Sequence, residues 1–263
     1  MTVYFIGAGP GDPDLITVKG LRLIQQSPVI LYAGSLVPKE ILADHLDEAE
    51  ITDTAPLNLE EIMARIVTAH NEGKDVARVH SGDPAIYGAT GEQMSRLDKL
   101  NIPYQVIPGV TAMAASAAEL KKELTLSGVS QTVIMTRYAA KTPMPERENL
   151  TALAKTGATL AIHLGITRIH KIVEELIPHY GENCPVAVCY RTGWPDAMRV
   201  EGTLEDITEK VRKAKITRTA LIMVGWVLNT QDFNESYLYS EDKAHVYRPK
   251  VKPIEPRKVK RPA

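Results

Sequence analysis

Three loops rich in glycine and proline contain the residues that could do chemistry. Residues 7–14 read GAGPGDPD, residues 80–88 read HSGDPAIYG and residues 108–112 read PGVTA. Glycine has no Cβ, so its backbone can approach a ligand closely. The spacing therefore predicts three main-chain cradles for small-molecule binding.

The first loop partly matches the dinucleotide-binding fingerprint, G-x-G-x-x-G, but departs from it at one position. The fingerprint brings a pyrophosphate onto the start of a helix. Asp12 stands where its third glycine would be, and a carboxylate there would repel a pyrophosphate. The loop therefore favours a ligand that is cationic or lacks phosphate over NAD. A purely structural tight turn is the alternative, because glycine and proline are dense here.

Short β-branched runs alternate with longer amphipathic stretches, which is typical of α/β layers. Residues 58–71 place apolar side chains at helical spacing, and Asn58 with Glu61 is close to a capping box. We predict helices at 58–71, 169–179 and 204–213. We predict strands at 3–6, 28–32, 50–52, 74–80, 103–107, 132–136, 159–164, 186–190, 198–202 (an edge strand) and 219–224.

The strands fall into two groups of five, which favours two domains over a single sheet of ten. We predict an α/β fold with two α/β/α domains, each a five-stranded, mostly parallel sheet with flanking helices. The domains are placed at residues 1–117 and 118–244. Residues 245–263 contain seven Lys or Arg and four Pro, and we predict a basic, disordered tail.

Ligands of open α/β sheets bind beyond the carboxyl ends of strands. Each of the three loops follows a predicted strand. In the second half, Arg137, His163 and Arg191 lie at or just after such ends. If the two domains face each other, one cleft between them collects all of these residues.

The composition limits the classes of partner. A formal net charge of −1 gives no field that would attract nucleic acid or an anionic membrane. No apolar run reaches the about 18 residues of a membrane span, and the first residues do not resemble a signal peptide. Cys184 and Cys189 match no metal or disulfide spacing. We expect a cytoplasmic enzyme with no metal site and no nucleic-acid or membrane partner.

The three loops, with the LIT sequence at residues 15–17, resemble the loops of the tetrapyrrole methylase family, the class III S-adenosylmethionine methyltransferases. Residues 185–191 and 219–224 resemble the later strands of that family. Four ordered matches, spread from residue 1 to about residue 240, make the resemblance far more specific than one glycine loop would.

Residues 32–38, YAGSLVP, are similar to the family members that methylate carbon 11 of precorrin-4 in cobalamin biosynthesis. Residues 91–93, 124–126 and 194–196 are similar to the same group. Ser127 departs from it, standing where proline is expected.

The resemblance implies a homodimer that moves a methyl group from S-adenosylmethionine to carbon 11 of precorrin-4 or cobalt-precorrin-4. It also implies that S-adenosylmethionine folds between the domains, with the tetrapyrrole in a trough above it. The residues that it assigns to cofactor binding are Pro10, Gly82, Asp83, Ile86, Tyr87, Thr111, Ala112, Leu164, Tyr190, Arg191, Thr219, Ala220 and Leu221.

Some of these residues have a plain structural alternative. Thr111 could bind the cofactor carboxylate or cap the helix that follows. Leu164 and Leu221 could be ordinary core residues. Asp12 and Arg137 are the candidate catalytic residues: Asp12 could position a pyrrole N–H, assist proton removal or only stabilise its turn.

Precorrins carry many carboxylates, so the trough should hold cations that can bind them. The candidates are Arg137, Arg191, Lys39, Arg168 and His163.

Other functions remain as alternatives. A sister tetrapyrrole methylase would act at another ring carbon, and an RNA or diphthine methylase could share the fold. A non-catalytic corrinoid-binding protein would lose the cofactor loops, which are intact. A dehydrogenase is disfavoured, because the Asp12 carboxylate would repel the pyrophosphate of NAD.

Overall fold

The computed structural model describes residues 1–45, 49–139, 142–231 and 233–234. The predicted tail at 245–263 and the end of the predicted second domain lie outside the described residues. In the described part of the chain, ten strands form two five-stranded sheets.

The first sheet is entirely parallel, with strand order β3-β2-β4-β1-β5. β2 and β4 are buried along their whole length, as expected for parallel strands that are covered on both faces. The strands are β1 Val3–Gly7, β2 Val29–Tyr32, β3 Glu50–Asp53, β4 Val76–His80 and β5 Tyr104–Ile107.

Helices pack on both faces of the first sheet and produce two separate apolar clusters. One face buries Phe5 and Leu31 with the α2 residue Ile66, and the other buries Ile6 and Ile30 with Ile24 of α1. The helices of this half are α1 Val18–Gln26, α2 Leu59–Asn71, α3 Thr90–Leu100 and α4 Ala112–Leu120.

The start of α2 confirms the predicted cap. The Asn58 side chain accepts a hydrogen bond from the Glu61 N–H at 3.0 Å, and the Glu61 carboxylate accepts from the Asn58 N–H at 2.8 Å. This reciprocal pair satisfies two N–H groups that a helix start leaves without partners.

The second sheet is mixed, so the prediction of a mostly parallel second sheet was wrong. Its order is β6-β7-β10-β8-β9, and only β6 and β7 pair in parallel. The strands are β6 Val133–Arg137, β7 Thr159–His163, β8 Pro185–Tyr190, β9 Met198–Thr203 and β10 Ala220–Val224. β9 is an edge strand, as predicted.

A short connection explains the reversal. β8 ends at Tyr190 and β9 begins at Met198, which is too few residues for a parallel crossover of about a dozen. β9 therefore runs back along β8. α7 Ile207–Lys213 then returns the chain to the end of the sheet at which β9 began. β10 therefore runs in the same direction as β9.

Helices also cover both faces of the second sheet. One face packs against α5 Leu150–Ala154, α6 Ile169–Tyr180 and α7. The other face packs against Leu120 of α4 and against Val227 and Leu228. The predicted boundary after residue 117 thus falls inside α4, a helix whose last residue packs on the second sheet.

No helix among the described residues is both long and apolar enough to cross a membrane.

Candidate active site

The three glycine loops meet because they follow three adjacent strands. β4, β1 and β5 are neighbours in the parallel first sheet, so their carboxyl ends lie at one edge. The Gly9 and Gly82 backbones pair there, with the Gly82 N–H donating to the Gly9 carbonyl at 2.7 Å. The Ala8 N–H donates to the His80 carbonyl at 2.8 Å.

Gly7 and Gly109 allow the loops to approach this closely. A Cβ on Gly109 would collide with the Gly82 carbonyl oxygen and would lie 2.8 Å from the Gly7 Cα. A Cβ on Gly7 would lie 2.7 Å from the Gly109 Cα. Each of these contacts is with backbone, which cannot rotate away, so the meeting point requires glycine.

Asp83 ties the second loop to the third. One carboxylate oxygen accepts from the Ala85 N–H at 2.8 Å and the other accepts from the Gly109 N–H at 3.0 Å. The carboxylate therefore shapes its own loop and joins it to the loop after β5.

The second sheet with its helices, here called the second lobe, brings its strand ends to the other side of the cleft from the three loops; the first sheet with its helices is the first lobe. His163 ends β7, Arg191 follows β8, and Thr219 precedes β10. Because β10 is antiparallel to β7 and β8, its first residues lie beside their last ones. The reversal in the second sheet thus places Thr219 and Ala220 at the cleft.

The two lobes enclose a cavity of about 420 Å³, within the range of about 300–1,000 Å³ for small-molecule sites. Most of the surface of its wall is apolar, and the charged groups are Asp83, Arg191 and Arg218, with His163 beside them. The predicted cofactor residues that line it are Pro10, Gly82, Asp83, Ile86, Tyr87, Thr111, Ala112, Leu164, Arg191, Thr219, Ala220 and Leu221.

Four non-glycine residues on this wall have left-handed backbone. Their φ angles are 52° at Tyr87, 55° at Leu164, 46° at Arg191 and 49° at Thr219. Each costs of the order of 1–3 kcal/mol and persists only where the surroundings enforce it. Such residues cluster at ligand sites, and the β-branched Thr219 is the most unusual of the four.

Leu164 and Leu221, for which ordinary core packing was the alternative, differ in their exposure. Leu164 is 67% exposed and lines the cavity, so core packing does not account for it. Leu221 is 3% exposed and belongs to the apolar cluster around Met223 and Cys189, so it is both core and wall.

Tyr190 is the one predicted cofactor residue that the structure does not bring to the cavity. It packs against the apolar cluster under α6. Side chains alternate along a strand. Cys189 and Arg191, on either side of Tyr190, line the cavity, so Tyr190 points to the other face.

The two candidate catalytic residues also lie off the wall. Asp12 accepts a hydrogen bond from the Asp14 N–H at 3.0 Å and caps the short 3-10 helix Pro13–Leu15, which is the turn-stabilising alternative. Arg137 donates to the carbonyls of Thr142 and Pro143 at 3.0 and 2.7 Å.

Of the cations considered for substrate carboxylates, Arg191 and His163 line the cavity, whereas Arg137, Lys39 and Arg168 do not. Sequence reasoning missed several wall residues, most of them neighbours of predicted ones. These are Leu36, Ser81, Ser116, Ile166, Thr167, Cys189, Thr192, Thr217 and Arg218.

Burial keeps three wall and loop side chains uncharged. It lowers the pKa of His163 and, with a smaller contribution from Arg78, lowers the pKa of His80 to about 3. Burial raises the pKa of the Cys189 thiol to about 11. A neutral thiol is a poor nucleophile, so this wall would resist methylation by a bound electrophile.

The depressed pKa of His80 predicts a loss of stability in mild acid. The unfolded chain binds a proton at His80 below its ordinary pKa of 6.5, whereas the folded chain does so only near 3. The His80 contribution is therefore complete above pH 6.5 and is lost as the pH falls toward 3, at about 1.4 kcal/mol per pH unit.

Urea unfolding at several pH values between 6.5 and 5 tests this expectation. His80→Leu should unfold with a shallower pH dependence than the unsubstituted chain. Parallel pH dependences in the two proteins would show that His80 is not held neutral.

Comparison with known proteins places this architecture. The family model for tetrapyrrole (corrin/porphyrin) methylases matches residues 2–208. The chain belongs to the tetrapyrrole methylase family. Its similarity to a precorrin-4 C(11)-methyltransferase of Pseudomonas aeruginosa is 61% identity, over 95% of this chain and 99% of the relative.

Solved structures of other tetrapyrrole methylases share the fold. A cobalt-precorrin-4 methyltransferase of cobalamin biosynthesis superposes with a TM-score of 0.84 at 45% identity, over 87% of this chain and 96% of the other. A uroporphyrin-III C-methyltransferase of Thermus thermophilus, solved with S-adenosylhomocysteine, has a TM-score of 0.72 at 30% identity, over 87% and 93%.

Proposed function

We propose that this tetrapyrrole methylase transfers the methyl group of S-adenosylmethionine to carbon 11 of precorrin-4 or of its cobalt form. The observation that carries the proposal is the cavity between the lobes, whose wall combines the three glycine loops with Leu164, Arg191 and Ala220. The 61% identity to a precorrin-4 C(11)-methyltransferase supports the ring position.

The wall suits a donor without phosphate. Leu164, Ala220 and Leu221 offer an apolar surface for the adenine, and the loops at Gly82 and Ile86 offer backbone groups to the methionine part and ribose. Thr111 caps α4, its oxygen accepting from the Ala114 N–H at 3.2 Å, which leaves its proton free to bind the donor carboxylate. The N-terminus of α4 also favours a negative group.

The chemistry asks little of the protein besides alignment. The ring carbon attacks the methyl carbon of the sulfonium, a carbon–carbon bond forms, and the carbon–sulfur bond breaks with its electrons going to sulfur. S-adenosylhomocysteine leaves as a neutral thioether, and the ring retains the methyl group with the positive charge, which loss of a ring N–H proton to solvent would neutralise. Fixing two reactants in line can supply up to about 7–11 kcal/mol.

Arg191 and Arg218 on the wall are the cations that we assign to the substrate carboxylates, because a guanidinium binds a carboxylate with two hydrogen bonds. Asp12 of the first loop and Arg137 at the end of β6 do not line the cavity, and no catalytic step is assigned to them. The proposal includes a cytoplasmic homodimer that acts on a tetrapyrrole without a nucleic-acid partner.

Anaerobic incubation with ¹³C-methyl-labelled S-adenosylmethionine and precorrin-4, in metal-free and cobalt forms, tests the proposal: mass spectrometry counts the added methyl groups and NMR locates them. We expect one labelled methyl on carbon 11 of one form. A methyl on a different carbon would identify a sister activity. Failure of both forms to gain a methyl, in a protein that binds S-adenosylhomocysteine, would reject this substrate.

A further inference from the structure

Trp194 crosses from the second lobe to the first beside the cavity. It lies in the turn between β8 and β9, and its indole N–H donates to the Pro10 carbonyl at 3.1 Å, a contact between residues 184 positions apart. Pro10 lines the cavity. The proposed function leaves this contact without a role.

Two glycines form the seat of this indole. A Cβ on Gly11 would collide with the Trp194 ring, and a Cβ on Gly193 would lie 2.7 Å from the Asp12 nitrogen. Gly193 also has φ 87°, which favours glycine. The turn of one lobe thus packs directly onto the main chain of the other.

The same indole holds a residue of the cavity wall. The Arg191 guanidinium lies 4.1 Å from the centre of the Trp194 ring and pairs with Asp196 at 2.7 Å. Stacking on one side and a carboxylate on the other restrict the guanidinium. Arg191 itself lines the cavity with left-handed backbone.

A further contact joins the lobes at this side. The Ser116 hydroxyl of α4 and the Thr192 hydroxyl are 3.2 Å apart, and both residues line the cavity. The turn therefore contacts the first loop through Trp194 and α4 through Thr192.

We infer that Trp194 is a positioning residue that clasps the two lobes and holds Pro10 of the first lobe and Arg191 of the second lobe in place at the cavity. The inference rests on the proposed function, because the proposed function assigns the cavity to the methyl donor and its acceptor. With the clasp loosened, Pro10 and Arg191 no longer keep a fixed separation, and donor and acceptor lose their alignment.

Three variants separate the parts of the clasp. Trp194→Phe keeps a ring over Gly11 and under Arg191 but cannot donate to Pro10. Trp194→Ala removes both contacts. Gly11→Ala leaves the tryptophan intact and removes its seat. Trp226→Phe is the matched control, because Trp226 is 47% exposed and does not line the cavity.

Calorimetric titration with S-adenosylhomocysteine and steady-state methyl transfer are measured on each variant, with melting temperatures to confirm folding. Trp194→Phe should lower kcat/KM about fivefold, the value of one hydrogen bond. Trp194→Ala and Gly11→Ala should each lower kcat at least about thirtyfold, since misplacement by about 1 Å costs far more than one contact. Trp226→Phe should match the unsubstituted enzyme.

A fall in kcat at unchanged melting temperature and unchanged affinity for S-adenosylhomocysteine is the readout that a merely structural role would not move. Fluorescence adds a direct report from Trp194. The chain has two tryptophans, so Trp226→Phe leaves Trp194 as the sole tryptophan, and excitation beyond the tyrosine absorption band selects its emission. Its emission should change when S-adenosylhomocysteine fills the cavity beside Arg191.

The outcomes distinguish this inference from the proposed function. If the unsubstituted chain does not bind S-adenosylhomocysteine, the proposed function fails. If it binds and methylates normally, while folded Trp194→Phe keeps full kcat/KM, folded Gly11→Ala keeps full kcat and the Trp194 emission does not change with the ligand, the clasp is refuted.

Discussion

Gly109→Ala should greatly weaken the binding of S-adenosylhomocysteine. The added Cβ would collide with the Gly82 carbonyl and lie 2.8 Å from the Gly7 Cα. These atoms belong to the loops after β4 and β1, which a backbone pairing already holds together. Overpacking of this kind costs about 1–3 kcal/mol, and here the strain must displace the cavity wall itself.

Calorimetry should therefore show the dissociation constant of S-adenosylhomocysteine rising at least about a hundredfold, with a lower melting temperature. Gly91→Ala is the matched control. Its Cβ would meet nothing within 4 Å and it lies in α3, where alanine is favoured over glycine by about 1 kcal/mol. That variant should bind normally and melt slightly higher. Normal binding by Gly109→Ala would contradict the packing described for the loops.

Asp83→Ala should weaken donor binding by about tenfold or more. The carboxylate accepts from the Ala85 and Gly109 N–H groups, and hydrogen bonds to a charged group are worth about 1.5–3 kcal/mol. Without them, the second loop loses its tie to the third, and the Gly109 N–H loses its partner. Titration with S-adenosylhomocysteine measures the effect.

Asp206→Ala removes a comparable carboxylate far from the cavity. Asp206 accepts from the Thr203 N–H at 2.9 Å and pairs with Lys210 at 2.7 Å. This control should cost stability without changing the affinity. Equal affinities of the Asp83 and Asp206 variants for S-adenosylhomocysteine would show that Asp83 does not contribute to donor binding.

All ten strands could be predicted from the sequence because most of them are short β-branched runs bounded by turn residues. Strand direction could not be predicted from these runs, because an apolar run has the same pattern in both directions. The relevant signal lay in a connection: only residues 191–197 separate β8 from β9, too few for a crossover. That length predicts that β9 runs antiparallel to β8. Because α7 then leads the chain back, β10 also runs antiparallel to β8.

The loops of the candidate site could be predicted because glycine density marks close backbone approach. Tyr190 does not line the cavity, because a strand presents alternate residues to opposite faces and the neighbouring Cys189 and Arg191 face the cavity. The contact of Trp194 with Pro10 could not be predicted, since nothing in the local pattern of either segment indicates a partner 184 residues away.

A crystal of this chain soaked with S-adenosylhomocysteine tests the central claim most directly. The account predicts density in the cavity between the lobes, with the adenine against Leu164 and Ala220 and the methionine part against the loop at Gly82 and Asp83. Density for the ligand on either lobe away from that cavity would contradict it.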